Sequence, residues 1–403
     1  MMPLTGAGRK AGMRAIVVGA GIGGLTAGLF LNRAGFAVRV FEAAREIREL
    51  GVGINVLPHA TKALDKLGLL DALVAAGVLT REVARFDSRG KLMGAEPRGR
   101  FAGYNWPQVS IHRGRFQRIL YDAARATLGP ERILTGRRLV GFEARGDEVL
   151  VQFADHTGAA LAPETADILI AADGIHSRVR RILYPDEGQP AYSGIMMWRG
   201  VSRAKPFLTG SSMIAVGDAA QKFVSYPVTA PDADGRALIN WICELPRPDM
   251  LAPEDWNRPG RIEDFYPSFT GWAFDWCDVP GIVRAAEGVF EFPMVDRDPL
   301  PRWSFGRVTL LGDASHPMYP VGSNGASQAI LDASALADAL AAHADPVEAL
   351  RAYETARLAA TARTVQAHRE RQFEQPATGS ELEASNERFK KIVGFDVETV
   401  NRT

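Results

Sequence analysis

Arg14-Ala-Ile-Val-Val18, Gly19-Ala-Gly-Ile-Gly-Gly24 and the small apolar run from Leu25 to Ala34 together decide the fold of this 403-residue chain. The first stretch is a β-branched run that ends in glycine, the pattern of a buried parallel strand. The last has helical spacing and stops at Gly35, where a helix end is expected. Ala37 to Phe41 then alternates as a second strand, so the segment predicts a βαβ unit with a right-handed crossover. The glycines between strand and helix match G-x-G-x-x-G. Gly19 serves the tight turn, Gly21 lets backbone approach a pyrophosphate, and Gly24 permits close helix–strand packing. The helix start offers unpaired N–H groups to phosphate charge. Glu42 closes the second strand, where its carboxylate can accept hydrogen bonds from both hydroxyls of an adenosine ribose and repels a 2′-phosphate. Ala20 and Gly23 inside the turn, and Ala43 after the acid, complete the expected contact set. Such a site suits FAD or NAD rather than NADP, and the motif alone does not separate the first two.

Outward from this unit, Leu57 to Leu70 and Arg113 to Leu128 read as helices, and Val140–Ala144 with Val149–Phe153 as a hairpin. Ile168 to Ala171 and Val308 to Leu311 are further buried strands of the parallel type. Between them, from about Pro185 to Met294, the chain is rich in Trp, Pro and short strand-like runs such as Phe223–Val228 and Ala237–Cys243, which suggests an antiparallel sheet. Ser327 to Arg371 is Ala-rich and helical, interrupted near Asp345-Pro346; from Gln375 onward a loosely held helix or disorder is expected. The predicted fold is therefore α/β: a Rossmann-like domain of three layers around a mostly parallel sheet, an inserted, mainly antiparallel-sheet domain, and C-terminal helices. Its expected divisions are residues 1–12 as a disordered extension, 13–75, 110–184 and 300–345 as the nucleotide domain, 76–109 and 185–299 as the substrate domain, and 346–403 as helices and tail.

Three later segments bear on the cofactor. Gly312-Asp313 follows a strand, and a carboxylate there can hold the ribityl chain of a flavin; alone, it reads more readily as an Asp ending a strand in a turn. Pro320-Val-Gly-Ser-Asn-Gly325-Ala326 is a glycine-rich loop that runs into a helix start. Reduced flavin is negative at its pyrimidine edge, and a positive helix end stabilises that charge, which makes Gly325 and the Ala326 N–H the candidate contacts. Asp173-Gly-Ile-His-Ser-Arg-Val-Arg180 offers an acid and two arginines, suited to pyrophosphate and a visiting nicotinamide nucleotide, or to a helix capped by Ser177 with its arginines in solvent.

In combination these motifs resemble the single-component (class A) FAD-dependent aromatic hydroxylases of the p-hydroxybenzoate hydroxylase type, over nearly the whole chain from Arg14 to about Arg371. Ile111-His-Arg113 opens a helix and is similar to the family's arginine that reaches FAD. Leu50-Gly-Val52-Gly-Ile-Asn55, Met197-Trp-Arg-Gly200, Pro293 to Pro299 and Asn324 to Ile330 are similar to the phenazine-modifying branch; Val52 is expected at the cofactor on that ground. The sequence departs from the pattern at Phe116, where Leu is usual, and at Ser315 in Gly-Asp-Ala-Ser-His. The resemblance implies that NAD(P)H reduces FAD, that oxygen adds at flavin C4a, and that the hydroperoxide hydroxylates an aromatic or N-heteroaromatic, carboxylated or phenolic ring. No second G-x-G-x-x-G is present, consistent with NADH or NADPH as a transient co-substrate.

Facing the flavin, the loop His316-Pro317-Met-Tyr319-Pro320 is expected, with Pro317 and Tyr319 toward substrate and Pro320 in the catalytic set. Arg199 is the candidate partner of a substrate carboxylate. Tyr226 can hydrogen-bond a ring substituent, and Trp241 can stack on the ring. An internal ion pair for Arg199, plain core for Tyr226 and Trp241, and a structural role for His316 are the competing readings. A flavin halogenase needs a W-x-W-x-I-P segment, which is absent. Baeyer–Villiger-type oxygenation, another flavin oxidoreduction, and a non-catalytic redox sensor all fit the same scaffold.

Composition removes other classes. Lys+Arg and Asp+Glu are both 47, which gives no polyanion-binding surface and no expected nucleic-acid partner. Cys243 and Cys277 have no zinc spacing and fit a reducing cytoplasm, and no metal site is expected. No apolar run reaches the roughly 18–20 residues that span a bilayer. A monomer or homodimer is expected.

Overall fold

The computed structural model describes residues 12–49, 51–248, 258–372 and 378–402; apart from Gly12, the expected extension at 1–12 lies outside them. Its first sheet has six strands in the order Ser304–Phe305, Val308–Leu310, Ile168–Ala171, Arg14–Val18, Ala37–Phe41 and Ile133–Leu134. All neighbours run parallel except the Ser304–Phe305 edge. The central strand is buried on both faces, which is why its sequence is continuously apolar rather than alternating. Helices Ile22–Arg33, Arg113–Leu128 and Gly325–Ala342 cover one side, and an antiparallel three-stranded sheet (Arg138–Arg145, Glu148–Ala154, Glu164–Ala166) covers the other. Phe41 stacks on Phe153 between the two sheets, with centroids 4.3 Å apart. Four parallel strands end side by side, so segments near residues 19, 42, 173 and 313 meet at one edge, where α/β sheets bind ligands.

The second large sheet has eight strands in the order Arg258–Pro259, Ala286–Asp296, Ala191–Ala204, Ala237–Pro246, Lys222–Pro227, Ser212–Gly217, Glu82–Phe86 and Leu92–Pro97. Only Ser212–Gly217 with Glu82–Phe86 is a parallel pair. Alternate residues point to opposite faces. One face closes an aromatic core of Trp198, Phe223, Trp241, Phe265 and Phe269. The other presents Met197, Arg199, Val224, Tyr226 and Ile242 to a cavity. The α/β fold with its parallel nucleotide sheet, second antiparallel sheet and C-terminal helices is thus the one expected.

Two local expectations change. The helix read over 57–70 is two, Pro58–Lys66 and Leu70–Ala76, separated at Gly68, whose φ of 72° ends the first. The tail is docked rather than loose. Helices Gly379–Val393 and Val397–Asn401, with the turn between them, bury Phe389, Val393, Phe395 and Val400 against Tyr104, and Lys62 donates to the Val400 carbonyl at 2.7 Å.

Candidate active site

The glycine turn is built by contacts that a side chain could not survive. Gly19 has φ of 100°, and a Cβ there would lie 2.3 Å from the Ala172 carbonyl oxygen; a Cβ on Gly24 would lie 1.9 Å from the Gly19 oxygen. A Cβ on Gly21, by contrast, would meet nothing within 4 Å, because it faces open cavity. The Gln117 side chain donates to the Ala20 carbonyl at 2.8 Å and braces the turn. The helix Ile22–Arg33 has no side-chain cap, so its first N–H groups are left for a ligand. Glu42 holds its place by accepting from Ala20 N–H on one oxygen and Ala44 N–H on the other, each at 2.8 Å. Each oxygen keeps a free lone pair for a hydroxyl donor.

Asp313 follows Gly312 (φ 63°) and carries its carboxylate into the same cavity beside Gly325, whose Cβ position lies 3.8 Å from Oδ1. Among the described residues no protein group donates to it. Burial raises its pKa, His316 and Arg113 pull it back down, and Asp332 raises it. The loop Pro320–Asn324 turns through Gly322 (φ 75°) and Ser323 (φ 60°), the latter a side-chain-bearing residue in the left-handed region, and delivers Gly325 and Ala326 as an uncapped helix start. Strain of this kind persists where surroundings enforce it. Here His368 does so from behind: its Nδ1 donates to the Tyr319 carbonyl at 2.9 Å, leaving Nε2 to accept from Asn324 Nδ2 at 3.4 Å. Burial drops the His368 pKa to about 4, so the ring is neutral. His316 lies outside the cavity lining, its Nε2 2.5 Å from Asp332, which Arg357 also engages. It is a structural residue.

One cavity of about 1480 Å³ runs from this cradle to the eight-stranded sheet. Val52, Ala43, Arg113, Asp173, Pro317 and Pro320 line it with the glycines, Glu42 and Asp313. Among the described residues the Arg113 guanidinium has no hydrogen-bond or ion-pair partner. The floor is a cross-strand row in which Arg199 faces Ile242, Ile242 faces Val224, Val224 faces Ala215 and Ala215 faces Arg85. Arg199 donates to the Gly53 carbonyl at 3.0 Å, and Gly53 N–H donates to Asn240 Oδ1 at 2.6 Å, which binds the wall to the floor. Burial lowers the Arg199 pKa and pushes Tyr226 up to about 12, so at neutral pH Arg199 is a cation and Tyr226 a phenol that donates.

The residues from 13 to 241 and from 286 to 368 match the family model described as FAD binding domain. The chain belongs to that family. This flavoprotein is 47% identical over 363 residues to phenazine 1,6-dicarboxylic acid hydroxylase PhzS of Lysobacter antibioticus, a match that covers 88% of this chain and 89% of the relative. It is 33% identical to 6-hydroxynicotinate 3-monooxygenase of Pseudomonas fluorescens, over 81% and 82% of the two chains. Among solved structures it is similar to Klebsiella pneumoniae HpxO complexed with FAD and uric acid, at 25% identity and a TM-score of 0.77, with 96% of each chain covered. The flavoprotein is an FAD-dependent hydroxylating monooxygenase of the class A aromatic type.

The geometry corrects three expectations in this flavoprotein. Trp241 cannot stack on substrate: strand alternation turns it to the opposite face, where its Nε1 donates to Ser202 Oγ at 2.9 Å and its ring packs by Phe265. A Cβ on Gly200 would sit 2.4 Å from that ring, which accounts for the glycine in Trp198-Arg-Gly. Tyr319 does not itself line the cavity but packs in an apolar cluster with Met197, Ile242 and Met294, behind floor residues that do. Arg180 is not available to a nucleotide, because it is 1% exposed, paired with Glu187 and donating to the carbonyls of Ala314 and Ser315. Ser177 caps that helix through Arg180 N–H at 3.0 Å, and Asp173 accepts from Arg178 N–H at 2.8 Å. Ala20 and Gly24 shape the turn without lining the cavity. Sequence reasoning missed Gly53, Asn240 and Gln117, which meet the site only through pairing between distant strands and helices. Among the described residues, no helix is long and apolar enough to cross a membrane.

Proposed function

We propose that the flavoprotein hydroxylates a planar N-heteroaromatic carboxylic acid with NADH or NADPH and O2. The observation that carries this is the single cavity joining the glycine cradle to a flat apolar floor that ends in the Arg199 cation. Bound FAD, reduced by the nicotinamide nucleotide, supplies the activation of oxygen. In this reading the first turn of helix Ile22–Arg33 faces the pyrophosphate and Glu42 the adenosine ribose. Asp313 accepts from the ribityl hydroxyls, and Arg113 and Asp173 flank the cofactor. Pro320 and the N–H groups of Gly325 and Ala326 meet the pyrimidine edge, where a helix start favours negative charge. The substrate ring lies on Ile242 and Val224 with Pro317 above, Arg199 pairs with a carboxylate, and Tyr226 donates to a ring heteroatom or hydroxyl. Apolar walls keep water from the reacting centre. The relatives whose names specify a phenazine dicarboxylic acid and a hydroxynicotinate support a nitrogen-containing aromatic acid. The two buried free thiols support a cytoplasmic enzyme.

The test is NAD(P)H oxidation by the purified yellow protein with and without phenolic and N-heteroaromatic acids. An acid that speeds flavin reduction and yields a hydroxylated product supports the reading. If no aromatic ligand changes the reduction rate, the hydroxylase assignment to this cavity fails.

A further inference from the structure

The floor row has a cation at each end. Arg199 and Arg85 stand four strand spacings apart, about 19 Å between their backbones, with Ile242, Val224 and Ala215 between them. Arg85 belongs to a cluster that no step described above employs. Arg98 Nη2 is 2.9 Å and Lys390 Nζ 2.6 Å from Glu96, while Arg85 Nη1 stays 3.7 Å away from it. Arg371 lines the same end of the cavity. Arg85, Arg98 and Lys390 therefore share one largely buried acid, Glu96, and only Lys390 has a second, Glu387, whose side chain is 57% exposed. Arg85 Nη1 and Arg98 Nε are buried donors without a hydrogen-bond partner, and both residues line the cavity. Leaving such donors unpaired is costly, and a carboxylate is the group that satisfies guanidinium donors best. Burial lowers the Arg85 pKa to about 10, and Arg98 and Arg371 push it the same way, as a local excess of positive charge requires.

We propose that Arg85, Arg98 and Lys390 form a second anion subsite, at the far end of the floor from Arg199, that binds a carboxylate of the aromatic substrate. Lys390 comes from helix Gly379–Val393, which lies beyond the family-matched residues, so this C-terminal helix sets the preference for a second carboxylate. The inference rests on the hydroxylase reading.

Binding of phenazine-1,6-dicarboxylic acid and of its monoamide, which keeps one carboxylate for Arg199, to the FAD-loaded enzyme, followed by perturbation of the flavin spectrum, tests it. The wild type is expected to bind the diacid about tenfold or more tightly than the monoamide, the scale of a charge-assisted pair. Arg85→Gln and Lys390→Gln, on separate elements, should each erase most of that preference and leave the monoamide's affinity in place. Glu96→Gln should strengthen diacid binding, whereas a merely structural cluster would lose affinity for both ligands. Retention of the diacid preference in both cation variants overturns the subsite, as does equal binding of diacid and monoamide by the wild type. A change confined to the KM for NADPH, with that for NADH untouched, overturns it too, by giving the cations to a nucleotide phosphate. If neither ring compound perturbs the wild-type flavin, the hydroxylase reading itself has failed.

Discussion

At Asp313 a carboxylate opens onto the cavity with no protein hydrogen-bond donor among the described residues, and only the charges of His316 and Arg113 oppose the desolvation that raises its pKa. Asp313→Ala is therefore expected to weaken FAD binding by roughly 10- to 100-fold, since hydrogen bonds to charged groups are worth about 1.5–3 kcal/mol. The ratio of flavin to protein absorbance after purification measures it, and a fully loaded variant would show the carboxylate misassigned. Gly53 has a different liability. A Cβ there would lie 2.5 Å from Asn240 Cβ and 2.8 Å from Tyr226, so Gly53→Ala should separate wall from floor at a cost of about 1–3 kcal/mol. Ligand-stimulated flavin reduction should fall more than FAD content; unchanged stimulation would mean the Arg199–Gly53–Asn240 junction is dispensable. The glycines at 19, 21 and 24 were readable because their constraint is local, imposed by a turn a few residues long. Gly53 and Gly200 were not, since their neighbours Asn240 and Trp241 arrive from another strand.

Among the elements, the loop from His316 to Asn324 depends most on what stands behind it. Asp332 is fully buried and accepts from Gly312 N–H, His316 and Arg357, which together hold its pKa near 2 against burial. Asp332→Asn should cost about 3–5 kcal/mol, the usual penalty for breaking a buried ion pair, and should lower the thermal midpoint. Two histidines make the same region acid-sensitive. Burial drops His368 from 6.5 to about 4, and burial with Arg357 drops His59 to about 3. The unfolded chain binds protons to both below pH 6.5 while the folded chain does not, so stability is full above 6.5 and declines as pH falls toward 4. The loss is on the order of 3 kcal/mol per residue. His59→Leu, which also removes two unpaired buried nitrogens, should flatten the thermal midpoint between pH 6.5 and 4; an unchanged slope would remove His59 from the account. Sequence patterning found the main parallel strands and the long helices, because their apolar periodicity is a property of the stretch itself, but of the eight-stranded sheet it named only Phe223–Val228 and Ala237–Cys243. It did not find the face each strand presents. The pairing of Gly200 with Trp241 and of Arg199 with Ile242 is fixed by register, and register put Trp241 in the core.

The described residues hold one large core across the six-stranded sheet and its helices, an aromatic core on the eight-stranded sheet, and a smaller one where the C-terminal helices meet Tyr104. Phe389→Ala in the smaller core should release residues 379–402 locally, visible as faster hydrogen exchange there, with little change in the main unfolding transition. Loss of the whole protein's cooperativity would show the C-terminal core and the rest to be one unit. The charge balance along the sequence showed a neutral total and hid the cationic end of the cavity, since its members lie at positions 85, 98, 371 and 390. The six-stranded sheet has a further consequence for biosynthesis. Its cofactor edge is made of strand ends far apart in the order of synthesis, with Arg14–Val18 emerging long before Val308–Leu310. A nascent chain thus holds the ribose acid and the glycine turn long before it owns Asp313 or the loop that follows. Because the complete site needs all of those strands paired, flavin added to a refolding reaction is expected to change only the final phase.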